Sequence, residues 1–154
     1  MNFTEYEIAT NTQPYFEDIY PVVTERDILL GAKKIIEKIG WCKKSLKKPK
    51  YALHRVRPWQ ENPIMGYCVL GAIEESAKKQ LGIDFVKSHE SVLEAINRFE
   101  TSNNIEKTDK ISSWDSTKIP QWNDKWYRSK RSVLKAFNLC IQDSTLSYLW
   151  AEYK

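Results

Sequence analysis

Apolar residues return at helical spacing in four stretches of the chain. The first stretch follows Thr24, which can cap a helix together with Asp27 as a short-acid variant of the capping box, and it ends at Gly40. The four predicted helices cover residues 24–40, 67–81, 88–101 and 130–142. The pattern therefore predicts a mainly α fold, a compact four-helix domain with long loops.

Prolines and polar residues interrupt the helical pattern between these stretches. Residues 41–66 contain three prolines and predict a long basic loop, in which residues 51–56 are compatible with a short strand of one small β-hairpin. Gly71 lies inside the second predicted helix, where it costs about 1 kcal/mol relative to alanine, so we expect another backbone to pack closely against it. The residues after 142 either extend the fourth helix or pack back as a short turn.

The N-terminal residues 1–23 differ from the rest of the chain. They carry four acids, no basic residue and irregularly spaced aromatic residues, interrupted by Pro14 and Pro21. We expect an extended segment that lies across the domain or on a partner. Residues 24–154 are then expected to form a single helical domain.

Composition narrows the class of protein. A chain of 154 residues with 42% hydrophobic residues can bury a core, which excludes wholesale disorder. No apolar run approaches the roughly 18 residues of a membrane span, and the N-terminus lacks a signal-peptide pattern. We therefore expect a cytoplasmic protein without a membrane partner. Three separated cysteines and two histidines predict no disulfide framework, no metal site and no other cofactor.

Basic residues concentrate in one region of the chain. Residues 33–57 contain ten cations and the single acid Glu37, a local charge of +9. This asymmetry predicts either an anionic partner or a contact with the acidic N-terminal segment. With Tyr51 and Trp59 nearby, residues 43–57 are also compatible with nonspecific nucleic-acid binding, although lysines in a loop usually form only a solvated face. No helix-turn-helix, RNA-recognition, zinc-finger or P-loop signature supports a more specific function.

Three motifs follow one another within residues 25–142. They are Gly40-Trp41 at the end of the first helix, Cys68-Val69-Leu70-Gly71-Ala72-Ile73 at the start of the second, and Trp122-Asn123-Asp124 before Arg128-Ser129 and Val133-Leu134. Their order resembles a family of small proteins from actinobacteria and bacteriophages that is known as a domain of unknown function. The chain departs from that pattern at Ser129, where threonine is usual, and at Ser132, where an acid is usual. The resemblance implies no activity.

Cys68 is the candidate nucleophile. It lies at a predicted helix N-terminus, where the helix dipole lowers a thiol pKa. A catalytic arrangement with His54 or His89 as base and Asn123 or Asp124 as orienting group can be written. The alternative is a small buried residue in a tight helix contact, which the neighbouring Gly71 favours.

The sequence Trp122-Asn123-Asp124 forms the most polar of the three motifs. Its side chains either cap turns and hold a loop against the fourth helix, or face a pocket in which Trp122 stacks on a ligand and Arg128 contacts an anion. The second interpretation predicts a groove for an anionic ligand. Its expected lining residues are Trp41, Cys68, Trp122, Asn123, Asp124 and Arg128.

These patterns favour a non-enzymatic protein that binds an anionic, nucleotide-like small molecule. In a phage, such a protein would act in the host cytoplasm as a counter-defence factor that sequesters a nucleotide signal. One alternative is a protein-interaction or inhibitor module that captures a host protein through residues 1–23 and the basic loop. The other is a hydrolase or transferase that depends on Cys68.

Overall fold

Residues 22–105 and 111–152 are described by a computed structural model, with side chains described as far as residue 146. They form the helices α1 (Glu25–Lys38), α2 (Val69–Leu81), α3 (Glu90–Ser102), α4 (Ile119–Asn123) and α5 (Lys130–Glu152). Two antiparallel strands, β1 (Lys47–Pro49) and β2 (Ile64–Tyr67), form a small sheet. The predicted mainly α fold with four long helices and a hairpin is therefore confirmed. The expectation of an extended segment covers residues 1–23, of which residues 1–21 lie outside the described residues.

Helix α1 begins and ends through local signals. The Asp27 amide donates to Thr24 Oγ1 at 3.2 Å, and the Thr24 amide donates to Asp27 Oδ2 at 3.1 Å, so the predicted capping box is confirmed. The helix stops at Lys38, just before Gly40, whose φ of +140° suits glycine alone. Its buried stripe consists of Ile28, Leu29, Ala32, Ile35 and Ile36.

The core lies among the long helices. Helix α1 contacts α2, α3 and α5, and α3 also contacts α5. Phe99 of α3 and Phe137 of α5 are fully buried and meet edge to face, with ring centroids 5.1 Å apart. Such an aromatic pair contributes about 0.5–1.5 kcal/mol beyond its buried area. Strand β1, which is mostly exposed, stays at the edge of this core.

The two strands of the hairpin lie on either side of residues 51–56, where a strand was predicted. Lys47 pairs with Tyr67 and Lys48 with Gly66, whereas Leu53–Arg55 forms a 3-10 turn at the hairpin tip. The prediction of a strand at residues 51–56 is therefore wrong. The physical reason is that the Tyr51 backbone bonds to the Asn62 side chain rather than to a neighbouring strand.

The start of α2 carries the close contact expected at Gly71. A Cβ added at Gly71 would overlap the Leu46 backbone carbonyl, which also accepts a hydrogen bond from the Cys68 amide at 3.1 Å. Only a residue without a side chain lets this carbonyl approach the helix so closely. The expected close approach of a backbone is therefore confirmed. The helix ends at Gly82, in a left-handed conformation with φ of +70°.

The polar stretch at residues 102–127 contains structure that the sequence pattern did not predict. A 3-10 turn spans Trp114–Ser116 and the short helix α4 spans Ile119–Asn123. The carboxylate of the fully buried Glu100 holds this stretch, since its Oε2 accepts from Thr117 Oγ1 at 2.7 Å and from the Lys118 amide at 3.0 Å.

Of the two alternatives for the residues after 142, extension of the last helix is correct, since α5 continues as far as Glu152. At its start, the Ser132 amide donates to Ser129 Oγ at 3.2 Å and the Ser129 amide donates to Ser132 Oγ at 2.9 Å. A serine thus takes the place of the acid in a reciprocal cap. Among the described helices, none combines the length and apolarity that a membrane crossing requires.

Candidate functional site

The three sequence motifs meet at the side chain of Asn123. Its Oδ1 accepts from Trp41 Nε1 at 2.8 Å and from the Val69 amide at 3.1 Å. Its Nδ2 donates to the Cys42 carbonyl at 3.1 Å and to Asp124 Oδ1 at 3.0 Å. An amide side chain offers two donor and two acceptor positions, so all four are used, and the residue is 0% exposed.

Asn123 therefore joins the segment after α1, the start of α2 and the end of α4. Its amide has no bonding position left for a ligand, which corresponds to the structural interpretation of this motif. We call the place where these three segments meet at Asn123 the Asn123 corner. A ligand at this corner would have to contact the neighbours of Asn123, and such binding stays a prediction.

Trp122 and Arg128 form a stacked pair beside this corner. The Trp122 ring lies edge to face against the core residue Phe99, with centroids 5.2 Å apart. The Arg128 guanidinium lies 3.7 Å from the centre of the same ring, and its Nε donates to the Trp122 carbonyl at 3.1 Å. Trp122 is therefore covered from two directions by protein groups. Arg128 is half-buried and also lies 5.1 Å from the Tyr127 ring, next to solvent.

Asp124 fixes the beginning of the basic loop. Its Oδ1 accepts from the Lys44 amide at 2.9 Å, and Lys44 holds a left-handed φ of +67°. Lys43 Nζ donates to the Lys125 carbonyl at 2.7 Å and to the Trp126 carbonyl at 3.4 Å. These bonds hold two segments together that lie about eighty residues apart in the sequence.

Cys68 lies at the helix N-terminus where the sequence places it, but its thiol is buried. Its Sγ accepts a hydrogen bond from the Gly71 amide at 3.3 Å. Burial outweighs this bond and raises the pKa of the Cys68 thiol to about 11, opposite to the direction expected from the helix dipole.

The two histidines lie on other elements than Cys68, which precedes α2. His89 caps α3, with its Nδ1 accepting from the Ser91 amide at 3.2 Å. His54 lies in the exposed 3-10 turn of the hairpin. Among the described residues, no group of three or more His, Cys, Asp or Glu side chains is placed to hold a metal ion.

A basic surface that was not predicted from the sequence lies beside the Asn123 corner. From here on, the basic loop means residues 43–60, which hold the cations of the predicted loop at 41–66, and the basic turn means residues 125–131. Together they form the basic–aromatic surface, which carries eleven Lys and Arg residues and is flanked by the acids Glu61 and Asp124. Both ion pairs of the described residues lie elsewhere, between Glu74 and Lys78 and between Glu25 and Arg98. Within the described residues, none of these eleven cations forms an ion pair, and the nearest acids in the sequence are Glu61 and Asp124 at the two edges.

Aromatic rings stand among these cations. The four rings are exposed to 87% (Trp126), 75% (Trp59), 58% (Tyr127) and 47% (Tyr51). The signal for the basic turn was present in the sequence, where four cations and two aromatic residues fall within seven positions. Its proximity to the basic loop depends on the contacts of Lys43 and Lys44, which no local pattern reveals.

Comparison with known proteins identifies the family but no activity. No curated protein and no solved structure matches the chain significantly. The model of DUF6197, a family of unknown function, matches residues 21–143, from just before α1 to the middle of α5. The matched region contains all three motifs and the whole basic–aromatic surface. The chain therefore belongs to DUF6197, a family of unknown function.

Proposed function

We propose that this protein binds nucleotide-like anions without catalysing a reaction, and that the basic turn is the primary contact. The observation that carries the proposal is the exposed Trp126 ring within a segment of four cations and no acid. A protein of this kind would act in the cytoplasm by sequestering its ligand. Of the residues predicted to line the groove, Arg128 remains a ligand contact. The binding surface lies further out than predicted, because all bonding positions of the Asn123 side chain are already used.

The geometry of the basic turn suits a ligand with a planar base and a phosphate. Trp126 and Tyr127 lie nearly perpendicular, at 87° with centroids 5.6 Å apart, so the exposed Trp126 ring can accept a base. Stacking of one base on an aromatic side chain contributes about 1–3 kcal/mol. Arg128 is held by the Trp122 carbonyl through Nε alone, which leaves its terminal nitrogens without a hydrogen bond to the described residues. A guanidinium in this state can bind phosphate oxygens in pairs.

The environment of Cys68 does not suit a catalytic nucleophile. A thiol with a pKa near 11 holds its proton at neutral pH, and only the thiolate is nucleophilic. Cys68 is also 5% exposed, which limits the access of a substrate to its sulfur. These two properties weigh against the Cys-dependent alternative.

Equilibrium dialysis of the full chain against labelled mononucleotides and dinucleotides at low salt tests the proposal. Trp126→Ala should weaken nucleotide binding at least 5-fold, because it removes one stacking platform. Phe85→Ala is the matched control, since Phe85 is 75% exposed and lies outside the basic–aromatic surface. No binding by the unchanged protein at millimolar nucleotide, or equal binding by the Trp126 variant, would overturn the proposal.

A further inference from the structure

A second cluster of rings and cations lies at the hairpin tip, by which we mean residues 50–63 between the two strands. Lys50 Nζ lies 5.4 Å from the centre of the Tyr51 ring, and the Arg57 guanidinium lies 5.7 Å from the centre of the Trp59 ring. An open cavity of about 180 Å³ lies in the same tip, and its lining combines one ring, one cation and one acid with two uncharged residues: Tyr51, Arg55, Glu61, Val56 and Gln60. The tip therefore repeats the combination of exposed ring and cation that characterises the basic turn.

The hairpin tip is held in place by hydrogen bonds. The Lys50 amide donates to the Pro63 carbonyl at 2.8 Å, and the Asn62 side chain bonds to both the amide and the carbonyl of Tyr51 at 3.0 Å. Arg57 and Gln60 exchange two further bonds, each 2.9 Å long. The Tyr51 and Trp59 rings are thus presented by an ordered loop, which lowers the entropy lost when a ligand stacks on them.

Exposed lysines connect the two clusters. Lys44, Lys47 and Lys48 lie on the backbone that runs from the basic turn to Tyr51, and all three are exposed. Seven residue steps from Lys44 to Tyr51 span at most about 23 Å, at roughly 3.3 Å for each residue. A stacked strand advances about 3.4 Å for each nucleotide, so this path accommodates up to about seven nucleotides.

We infer that the ligand is a single-stranded nucleic acid, which runs along the basic loop from Trp126 and Tyr127 to Tyr51 and Trp59. The inference rests on the proposed function, because both use the basic turn, and it extends the ligand from one nucleotide to a strand. Two separated ring clusters joined by lysines match the repeating base and phosphate of a strand. A duplex fits less well, because its bases are stacked on one another and offer no free faces to the rings.

Fluorescence anisotropy of the full chain with labelled oligothymidylates of 2, 4, 8 and 12 nucleotides tests the inference. Affinity should rise at least 10-fold between 2 and 8 nucleotides and then level off, and a 12-base-pair duplex should bind at least 10-fold more weakly than the 12-mer. Trp59→Ala should weaken 12-mer binding at least 5-fold and change dinucleotide binding less than 2-fold, since Trp59 lies at the far cluster.

Salt dependence provides a second measurement. The slope of log K against log salt changes by about 0.7 for each lost phosphate contact with a single strand. The double variant Lys47→Gln, Lys48→Gln should reduce the slope for the 12-mer by at least about 0.7, because successive strand residues point to opposite faces and at least one lysine faces the ligand. Lys79→Gln, which changes an exposed lysine at the other end of α2, is the control and should leave the slope unchanged.

The experiments distinguish failure of the single-strand proposal from failure of the nucleotide-binding proposal. Equal affinity for 2 and 12 nucleotides, with binding lost in the Trp126 variant, would overturn the strand and leave nucleotide binding intact. Equal affinity for a single strand and a duplex would also overturn the single-strand proposal, because the exposed rings would then show no preference for bases with free faces. Absence of binding to every oligonucleotide, together with failure of the dialysis experiment, would overturn both.

Discussion

At the residue scale, Asn123 joins segments that are distant in the sequence. Trp41 and Val69 lie 82 and 54 residues away from it and share its Oδ1 as acceptor. The Cys42 carbonyl, 81 residues away, accepts from its Nδ2. A buried polar group destabilises the fold unless it is hydrogen-bonded. Here three such groups obtain a hydrogen bond from one side chain, that of Asn123. Polar residues in a turn usually cap the neighbouring backbone, whereas the Asn123 side chain bonds to segments 54 to 82 residues away.

Replacing Asn123 by alanine should therefore destabilise the protein strongly. The Trp41 indole, the Val69 amide and the Cys42 carbonyl would each lose a partner, at about 1–3 kcal/mol for a buried group. We expect a total loss of about 3–5 kcal/mol in the free energy of unfolding, measured by urea titration with tryptophan fluorescence. Asp124→Asn is the control, because it keeps an acceptor for the Lys44 amide and should cost less than about 1 kcal/mol. A loss below 1 kcal/mol for the alanine variant would contradict this assignment.

At the element scale, the start of α2 is defined by the backbone that crosses it. Gly71→Ala would ordinarily stabilise a helix by about 1 kcal/mol. Here the added methyl overlaps the Leu46 carbonyl, so the crossing backbone must move and its bond with the Cys68 amide weakens. Overpacking of this kind costs about 1–3 kcal/mol, so after the gain in helix propensity we expect net destabilisation of up to about 2 kcal/mol.

Thermal and urea unfolding of Gly71→Ala and Gly82→Ala test that expectation side by side. A Cβ at Gly82 meets no atom within 4 Å, so only the positive φ opposes the substitution there, at about 1–2 kcal/mol. The two variants therefore separate steric overlap from backbone conformation. Stabilisation of the protein by Gly71→Ala would show that the Leu46 backbone moves away at no cost.

The attachment of α4 to α3 depends on Glu100. Glu100→Ala removes the acceptor of the buried Thr117 hydroxyl and of the Lys118 amide and leaves a cavity, so we expect a loss of about 2–4 kcal/mol. Glu100→Gln keeps one acceptor oxygen and should cost less. Glu94→Ala, on the exposed face of the same helix, should change stability by less than about 0.5 kcal/mol. Equal stability of the Glu94 and Glu100 alanine variants in urea would contradict the role of Glu100.

At the scale of the whole molecule, local signals were predictable, whereas long-range contacts were not, apart from the backbone approach that Gly71 indicated. The cap at Thr24, the apolar stripe and the stop near Gly40 all lie within one short stretch, so α1 was predicted closely. Helix α4 was missed because it has five residues and no side-chain cap, and is anchored by Glu100 from eighteen positions away. The basic–aromatic surface was missed for the same reason, since the Lys43 contacts that assemble it cross eighty-two residues.

The buried thiols give the whole molecule a dependence on alkaline pH. Burial raises the pKa of Cys68 to about 11 and that of Cys140 to about 12, whereas an unfolded thiol ionises near 8.5. Above about pH 8.5 the unfolded chain releases protons that the folded chain retains, so the free energy of unfolding falls as pH rises. Below about pH 7 both states keep these protons, and the thiols contribute almost no pH dependence.

Urea titrations at pH 7.5, 8.5, 9.5 and 10 measure this effect. Each buried thiol should lower the free energy of unfolding by up to about 1.4 kcal/mol for each pH unit above 8.5. Cys140→Ala removes one such group, so its curve should fall less steeply between pH 8.5 and 10, even though the cavity lowers stability at every pH. The comparison of slopes is therefore independent of the packing loss. Equal slopes in the two proteins would mean that the Cys140 thiol ionises as readily in the folded chain as in the unfolded one, which would contradict its burial and its bond to the Phe137 carbonyl.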